Sequence, residues 1–214
     1  PFLKGFRPDI PKVEWLGYVA RDFDRIFLTD LDKNEWEKSV ASFQQKLSDS
    51  VIRNAVRQLP PEIYRINGEK IIDKLISRRN VMLDAAIKYY RFVSKKVNIV
   101  GSNQKEHFKV SSVGDKLQVR VYVRSKGYDT SFIMYNRIFD PSVTKEIRLY
   151  GLHDEDIFEI ERSDSSRIKL RIIGGSGIDT FVLKGKVEAL LYDLKSTGGD
   201  YYINTSNGTV SGGQ

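Results

Sequence analysis

Two hydrophobic periods divide the chain. Up to about residue 96 apolar residues recur every three or four positions; beyond it they alternate with polar ones. Trp36, Val40, Phe43 and Leu47 form one stripe at helical spacing, with Asn34 as a cap and Glu37 three residues on. Val51, Ile52, Ala55, Val56 and Leu59 form a second stripe, which starts near Ser48-Asp49-Ser50 and stops at Pro60-Pro61. A third helix is predicted over about 68–94, on Ile71, Ile72, Leu75, Ile76, Met82, Leu83, Ala86, Ile87, Tyr90 and Val93, with Arg78-Arg79 interrupting its middle. Residues 1–33 read as an irregular lead-in broken by Pro8 and Pro11, with Ile26-Phe27-Leu28 as a short apolar anchor.

From Val97 the period is two. Val97–Val100 reads as a strand with Gly101-Ser102-Asn103 as its turn. His107 to Arg124 reads as a hairpin around Val113-Gly114-Asp115, and Ser131 to Phe139 as a further strand ending at Asp140-Pro141.

The most informative stretch is Gly174-Gly175-Ser176-Gly177-Ile178-Asp179-Thr180-Phe181-Val182. It fits the nonapeptide of calcium-binding parallel β-rolls. A degenerate copy lies 23 residues upstream, Gly151-Leu152-His153-Asp154-Glu155-Asp156-Ile157-Phe158-Glu159. Extended outward, Glu146–Tyr150 falls over Lys169–Ile173, Asp156 over Asp179, Phe158 over Phe181 and Ile160 over Leu183. A poorer third copy runs from Leu191-Tyr192 to Asp200-Tyr201-Tyr202. Each copy reads strand, turn, strand. Glycines 151, 174, 175 and 177 are expected to supply positive φ, and Asp156 and Asp179 to hold backbone N–H groups. The same two aspartates are the only candidate metal ligands. Calcium needs tandem nonamers whose glycine carbonyls and carboxylates share an ion. Here the spacing is 23 and the first copy lacks its second and third glycines, so no cofactor is expected, with calcium at Asp156 and Asp179 as the alternative.

Composition narrows the classes. With 214 residues the chain holds one large or two small domains, and no apolar run approaches a membrane span. It has no signal-peptide pattern at its start, no initiator Met, and no cysteine for disulfides, thiol catalysis or Cys-based zinc. It therefore reads as a region of a longer protein. The net charge of +7 is uneven: residues 1–100 carry 19 Lys and Arg against 13 Asp and Glu, residues 101–214 carry 16 against 15. These charges are scattered over helix faces with no aromatic interleaving, so nucleic acid is not an expected partner.

Catalytic groups are sparse. His107 and His153 are the only histidines, and neither has a second histidine at metal-ligand spacing. No phosphate-binding loop, dinucleotide fingerprint or nucleophile elbow is present. Asp154, Glu155 and Asp156 form an acidic turn that reads as solvated or as an attractor of a cation. Arg78-Arg79 reads as a structural ion pair to an acid or to helix C-terminal carbonyls, with an anion clamp as the other possibility.

The order of motifs carries a resemblance. Arg21–Leu28 precedes Trp36, Leu47–Ile52 and Leu59-Pro60-Pro61-Glu62. Arg78-Arg79 follows with Tyr89-Tyr90, then Val100-Gly101-Ser102 with Glu106-His107-Phe108, Glu146–Gly151 and Arg171–Gly175. Over about residues 20–205 this resembles the middle portion of large envelope proteins of Bacteroidetes-type bacteria. Those proteins carry a calcineurin-like metallophosphoesterase domain before this region and an outer-membrane surface-antigen-type barrel after it. The helical half also resembles, more weakly, the C-terminal helices of spore-coat kinase-like proteins. In both families the catalytic residues lie upstream of residue 1, so no catalytic residue carries over. The resemblance implies a cell-envelope location, periplasmic or outer-membrane associated, and a scaffold role. Other domains of the same polypeptide would be the partners, and membrane association would come only through flanking regions.

The expected fold is α+β: a three-helix domain with its lead-in over 1–96, an all-β domain over 97–205, and a flexible Gly/Ser/Thr/Asn-rich tail over 206–214. The β domain is expected to hold a hairpin and a short stack of strand–turn–strand repeats, solenoid or sandwich-like. The expected function is a non-catalytic scaffold or interaction region linked to a metallophosphoesterase. A calcium-dependent β-roll-like module and the C-lobe of a phosphotransferase are the alternatives.

Overall fold

A computed structural model describes residues 6–125, 128–163, 166–192, 201–206 and 210–213. Among them the chain is α+β, with six helices followed by eleven strands in two sheets. It divides into two compact units. One comprises residues 1–21 and 31–92; the other comprises 22–30 and 93–214.

In the first unit the three expected stripes become more pieces. Helices α1 (Val13–Leu16) and α2 (Arg21–Phe27) fall in the lead-in, where there is no long periodic stripe to announce them, and all of α2 but Arg21 belongs to the second unit. Helix α3 (Lys33–Lys46) is capped by Asp32 rather than Asn34. Its side chain accepts from the Glu35 N–H at 2.9 Å while Glu35 accepts from the Asp32 N–H, a full capping box. Helix α4 (Asp49–Val56) is capped by Ser48. Pro61 stands at the first position of α5 (Pro61–Asn80), where a missing N–H costs nothing, so the proline pair starts a helix, while α4 has already ended at Val56. The long third stripe is two helices, because the backbone breaks at Val81 before α6 (Met82–Val93). Ile52, Val56 and Ile72 form the small buried core between α4 and α5.

In the second unit the strands are β1 (Lys96–Val100), β2 (Glu106–Val113), β3 (Lys116–Ser125), β4 (Tyr128–Phe139), β5 (Glu146–His153), β6 (Ile157–Arg162), β7 (Lys169–Ser176), β8 (Thr180–Gly185), β9 (Ala189–Tyr192), β10 (Tyr201–Ser206) and β11 (Val210–Gly213). One sheet runs β1-β5-β7-β9-β11, parallel throughout. The other runs β10-β8-β6-β2-β3-β4, parallel from β10 to β2 and antiparallel through the β2–β3–β4 meander. From β5 onward successive strands alternate between the sheets. Both sheets contribute inward residues to one continuous buried cluster, including Ile147, Leu149, Leu170 and Ile172 from one and Phe108, Val110, Phe158 and Phe181 from the other.

The register matches the repeat read from the sequence. Glu146 pairs with Lys169, Tyr150 with Ile173, Phe158 with Phe181 and Ile160 with Leu183. The third copy is compressed: Leu170 pairs with Ala189 and Thr180 with Tyr201, offsets of 19 and 21. Residues 210–213, within the segment read as a tail, form β11 against β9.

A further copy lies off the 23-residue offset. Strand β1 pairs with β5, and β2 with β6, at an offset of 50. The first repeat is therefore β1–β2, and the β3–β4 ribbon is inserted between it and the next. Residues 22–30 belong to this unit by contact. The Thr29 carbonyl accepts from the Tyr135 hydroxyl at 3.0 Å and from Arg137, both on β4.

Candidate functional site

The repeats superpose three features, and these define the site. Each copy has a glycine at the end of its first strand (Gly101, Gly151, Gly174), an acid before its second (Glu106, Asp156, Asp179), and a phenylalanine in that strand (Phe108, Phe158, Phe181).

The phenylalanines stack. Phe108 and Phe158 have ring centroids 4.7 Å apart, Phe158 and Phe181 5.3 Å, and Phe181 and Tyr202 5.1 Å, with all three pairs of ring planes nearly parallel. The first three are fully buried. Such a ladder fixes parallel register, because a slip of one residue would send every ring to the outer face.

The acids form a second column beside the turns. Glu106 is 0% exposed, Asp156 1% and Asp179 0%. Oδ1 of Asp179 accepts from the backbone N–H of Asp156 at 2.8 Å, and Oδ1 of Asp156 accepts from the N–H of Glu106 at 2.7 Å. Glu106 in turn accepts from the Ser102 N–H at 3.0 Å and from the Ser102 hydroxyl. Each aspartate thus holds the amide of the acid in the preceding copy, a bond between copies, while Glu106 closes its own turn on Ser102. Oδ2 of Asp156 is buried without a hydrogen-bond partner. Loss of hydration by burial pushes the Asp156 carboxyl up to about 8, and Glu106, Asp179 and Asp154 add repulsion; the Glu106 N–H opposes the rise. Asp200, the matching acid of the third copy, lies outside the described residues.

Glycine makes room for this column. A Cβ on Gly151 would overlap Asp156 Oδ2 and the Gly174 carbonyl, and one on Gly101 would press on Glu106. Gly151 and Gly174 are not at positive φ, contrary to expectation; Gly151 is required for space. Positive φ is found at Gly175 (113°) and Gly177 (145°), which lie under the Leu152 and Asp154 carbonyls. Leu152 and Asp154 themselves stand at φ 85° and 72° without being glycine. The copy at 151–159 keeps the left-handed turn of the copy at 174–182 although it lacks the glycines that suit it.

Asp156 and Asp179, the candidate calcium ligands, are therefore brought into adjacent copies, where each spends an oxygen on a backbone amide. Among the described residues no group of three or more His, Cys, Asp or Glu could hold a metal ion. The acidic turn attracts a cation from the chain itself: Lys105 lies 2.5 Å from Glu155 and 3.7 Å from Asp154. A cavity of about 280 Å³ beside this turn is lined by Arg124, Glu155, Asp156, Ile157, Ile178 and Thr180.

The histidines fall on different surfaces. His107 Nε2 lies 3.2 Å from Glu159, and burial lowers its proton affinity despite that carboxylate. His153 Nδ1 lies 2.5 Å from the Ser176 hydroxyl, its counterpart one copy on. Glu159 also receives Lys109 at 3.4 Å and Lys184 at 3.2 Å, tying β2, β6 and β8. On the other sheet Glu146 binds Arg148 at 2.8 Å and Arg171 at 3.1 Å, beside a groove of about 510 Å³ that Lys169, Glu188 and Leu190 help to line. In the helical unit Arg79 donates to the Leu47 carbonyl at 2.9 Å and to Asp49 at 2.7 Å, the ion pair and helix-end contact expected of the Arg78-Arg79 pair. Arg78 instead lies over the Phe6 ring, 5.1 Å from its centroid.

Glu106 is the site residue that sequence reasoning missed. Its signal was present: Val100-Gly101, then Glu106-His107-Phe108-Lys109-Val110, parallels Tyr150-Gly151, then Asp156-Ile157-Phe158-Glu159-Ile160. The inserted ribbon moved it off the 23-residue offset. No helix among the described residues is long and apolar enough to cross a membrane. No protein-family model, curated protein or solved structure matches the chain.

Proposed function

We propose that this chain is a non-catalytic scaffold or interaction region of a larger bacterial cell-envelope protein, with its strand unit a β-solenoid whose turns run to 19–23 residues where no ribbon is inserted. The observation that carries this reading is the coupling between copies. The side chains with chemistry to offer bind the neighbouring copy: Asp179 the Asp156 amide, Asp156 the Glu106 amide, Glu159 the lysines of β2 and β8, and Arg162 the Glu188 carbonyl at 3.2 Å. Groups so engaged stiffen a stack and are not presented to a substrate. Repeat stacks serve as spacers and extended surfaces, each turn supported by its neighbours. The envelope location, and linkage to a metallophosphoesterase in the same polypeptide, rest on the motif order from Arg21 to Gly175.

The test has two arms. The purified chain is assayed against phosphomonoester and phosphodiester chromogenic substrates with manganese, magnesium or calcium; turnover at the buffer blank is expected. Turnover that Asp156→Asn abolishes would overturn the non-catalytic reading. Cell fractionation with an antibody to this region is expected to find it in the envelope fraction, and recovery only in the cytosol would overturn the location. The calcium-module reading has one observation on its side, the partnerless buried Oδ2 of Asp156. Against it, the backbone of Gly151 occupies the space beside that oxygen.

A further inference from the structure

The acid column uses carboxyl groups where amides or hydroxyls would fill the same hydrogen-bonding role, and it keeps them out of water. Glu106 and Asp156 have no cation paired to them among the described residues, whereas the exposed acids of the same turn do. An ionised carboxylate so placed is costly unless it is paired, and burial makes it take up a proton instead.

We propose that the column of Glu106, Asp156 and Asp179 is a proton-operated latch between the turns of the stack. It is closed when Asp156 carries a proton and loosened when that proton leaves. The inference does not depend on the envelope location or on the lack of catalysis.

The groups that face Asp156 come from each neighbouring segment. Glu106 at the start of β2 is on one side, and Asp179 before β8 is on the other. Asp154 and Glu155 share its own turn. Lys105 is drawn to those two exposed acids, and Arg124 on β3 donates to the Glu155 carbonyl at 3.1 Å. Among the described residues the acids thus outnumber the cations about Asp156, and Lys105 and Arg124 serve the rim. A proton on Asp156 removes the central charge while Oδ1 still accepts from the Glu106 N–H. Its loss puts a buried charge between Glu106 and Asp179. The relief available is to open the turn to the adjoining cavity and to water.

The sign follows from linkage. A carboxyl held at about 8 in the folded chain, against roughly 4 in an unfolded one, binds its proton more tightly when folded. Its contribution to stability is therefore full below pH 4 and declines as pH rises to about 8. Above that the folded column carries the charge.

The experiment uses the whole chain. Amide exchange at Glu106 and Asp156 is measured at pH 6.5 and 9, corrected for the intrinsic rate, in wild type and in Asp156→Asn. Melting temperature is followed from pH 5 to 9 in both. Wild type is expected to lose protection at these two amides at pH 9, and to melt progressively lower as pH rises to 8. Asp156→Asn, an isosteric neutral acceptor, is expected to keep its protection and to lack that decline. If Asp156→Asn does not fold, Glu106→Gln provides the second test. Removing one repelling neighbour should move the wild-type transition to lower pH. Equal protection at both pH values in wild type, the same pH dependence in Asp156→Asn, or an unmoved transition in Glu106→Gln would overturn the latch.

Discussion

The backbone N–H of Asp156 donates to Oδ1 of Asp179 across 23 residues of sequence at 2.8 Å. It is a bond between equivalent residues of successive copies, and both ends are buried. Losing it should cost about 1–3 kcal/mol through an orphaned buried amide. Asp179→Ala is therefore expected to melt lower than wild type by the same amount in millimolar calcium and in chelator. A calcium site filled at 100 times its dissociation constant would instead add about 2.7 kcal/mol to wild type alone. Four melts decide it. A calcium-induced rise in wild type that vanishes in Asp179→Ala would identify the aspartates as metal ligands.

Leu152 and Asp154 occupy left-handed backbone that their counterparts Gly175 and Gly177 occupy without strain. A non-glycine residue there costs about 1–2 kcal/mol, of which the greater chain entropy of glycine returns roughly half. Leu152→Gly, at a side chain 38% exposed, should therefore stabilise the chain by about 0.5–1 kcal/mol. The reverse changes should not be tolerated. Gly175→Ala meets the Leu152 carbonyl as well as the φ penalty, and Gly151→Ala meets Asp156 Oδ2. Urea denaturation of the three variants is the check. Stabilisation by Gly175→Ala would show that the stacked backbone is not as described.

The repeat was legible because two copies keep the same length. Period-two alternation marks the strands, and the 23-residue offset matches the register of β5 on β7 and of β6 on β8. Glu106 was not legible for the opposite reason. The β3–β4 ribbon lengthens one copy, and Glu replaces Asp in it. The short helices in the lead-in were hidden because pieces of four and seven residues are too short to display a stripe. Pro60-Pro61 misled because proline, a helix breaker in an interior, suits the first turn of a helix, and here it opens α5 while α4 stops earlier, at Val56.

Arg79, not Arg78, should matter to the helical unit. It satisfies the Leu47 carbonyl beyond the end of α3 and pairs with Asp49 at the start of α4, and Gln44 donates to its own carbonyl at 2.6 Å. Asp49 is 59% exposed, so the ion pair itself is screened and adds little. The carbonyl contact accounts for most of an expected loss of about 1 kcal/mol in Arg79→Ala. Arg78→Ala gives up a ring contact to exposed Phe6 and should stay within about 0.5 kcal/mol of wild type. Equal effects from the two substitutions would contradict this assignment.

Phe158 stands between two rings of the ladder, stacked on Phe108 and Phe181, and is fully buried. Phe158→Ala is expected to cost about 3–5 kcal/mol, a loss that leaves little of a typical domain's stability. Phe158→Leu restores much of the volume without the stacking and should lose distinctly less. Denaturant titration followed by far-ultraviolet circular dichroism reads both. A Leu variant no better than Ala would assign the ladder's contribution to ring geometry rather than to filled space.

Glu159 offers the converse pH test to Asp156. Partial burial works to raise its carboxyl, but Lys184 and Lys109 outweigh that and hold it below the ordinary glutamate value. A depressed acid stabilises the fold above its unfolded value of about 4.3, and that stability is lost as pH falls through the lower folded value. Glu159→Gln should therefore be less stable than wild type at pH 7. Once pH has fallen below that folded value, where both side chains are neutral, the two should converge. The lysines are 36% and 47% exposed, so the difference at pH 7 should be about 1 kcal/mol or less. It should shrink further in 1 M salt, where the screening length is about 3 Å. What remains at high salt measures the contact with half-buried His107 and the strand packing. A difference between wild type and Glu159→Gln that persists unchanged down to the lowest pH at which both fold would mean that the carboxylate acts through shape and not through charge.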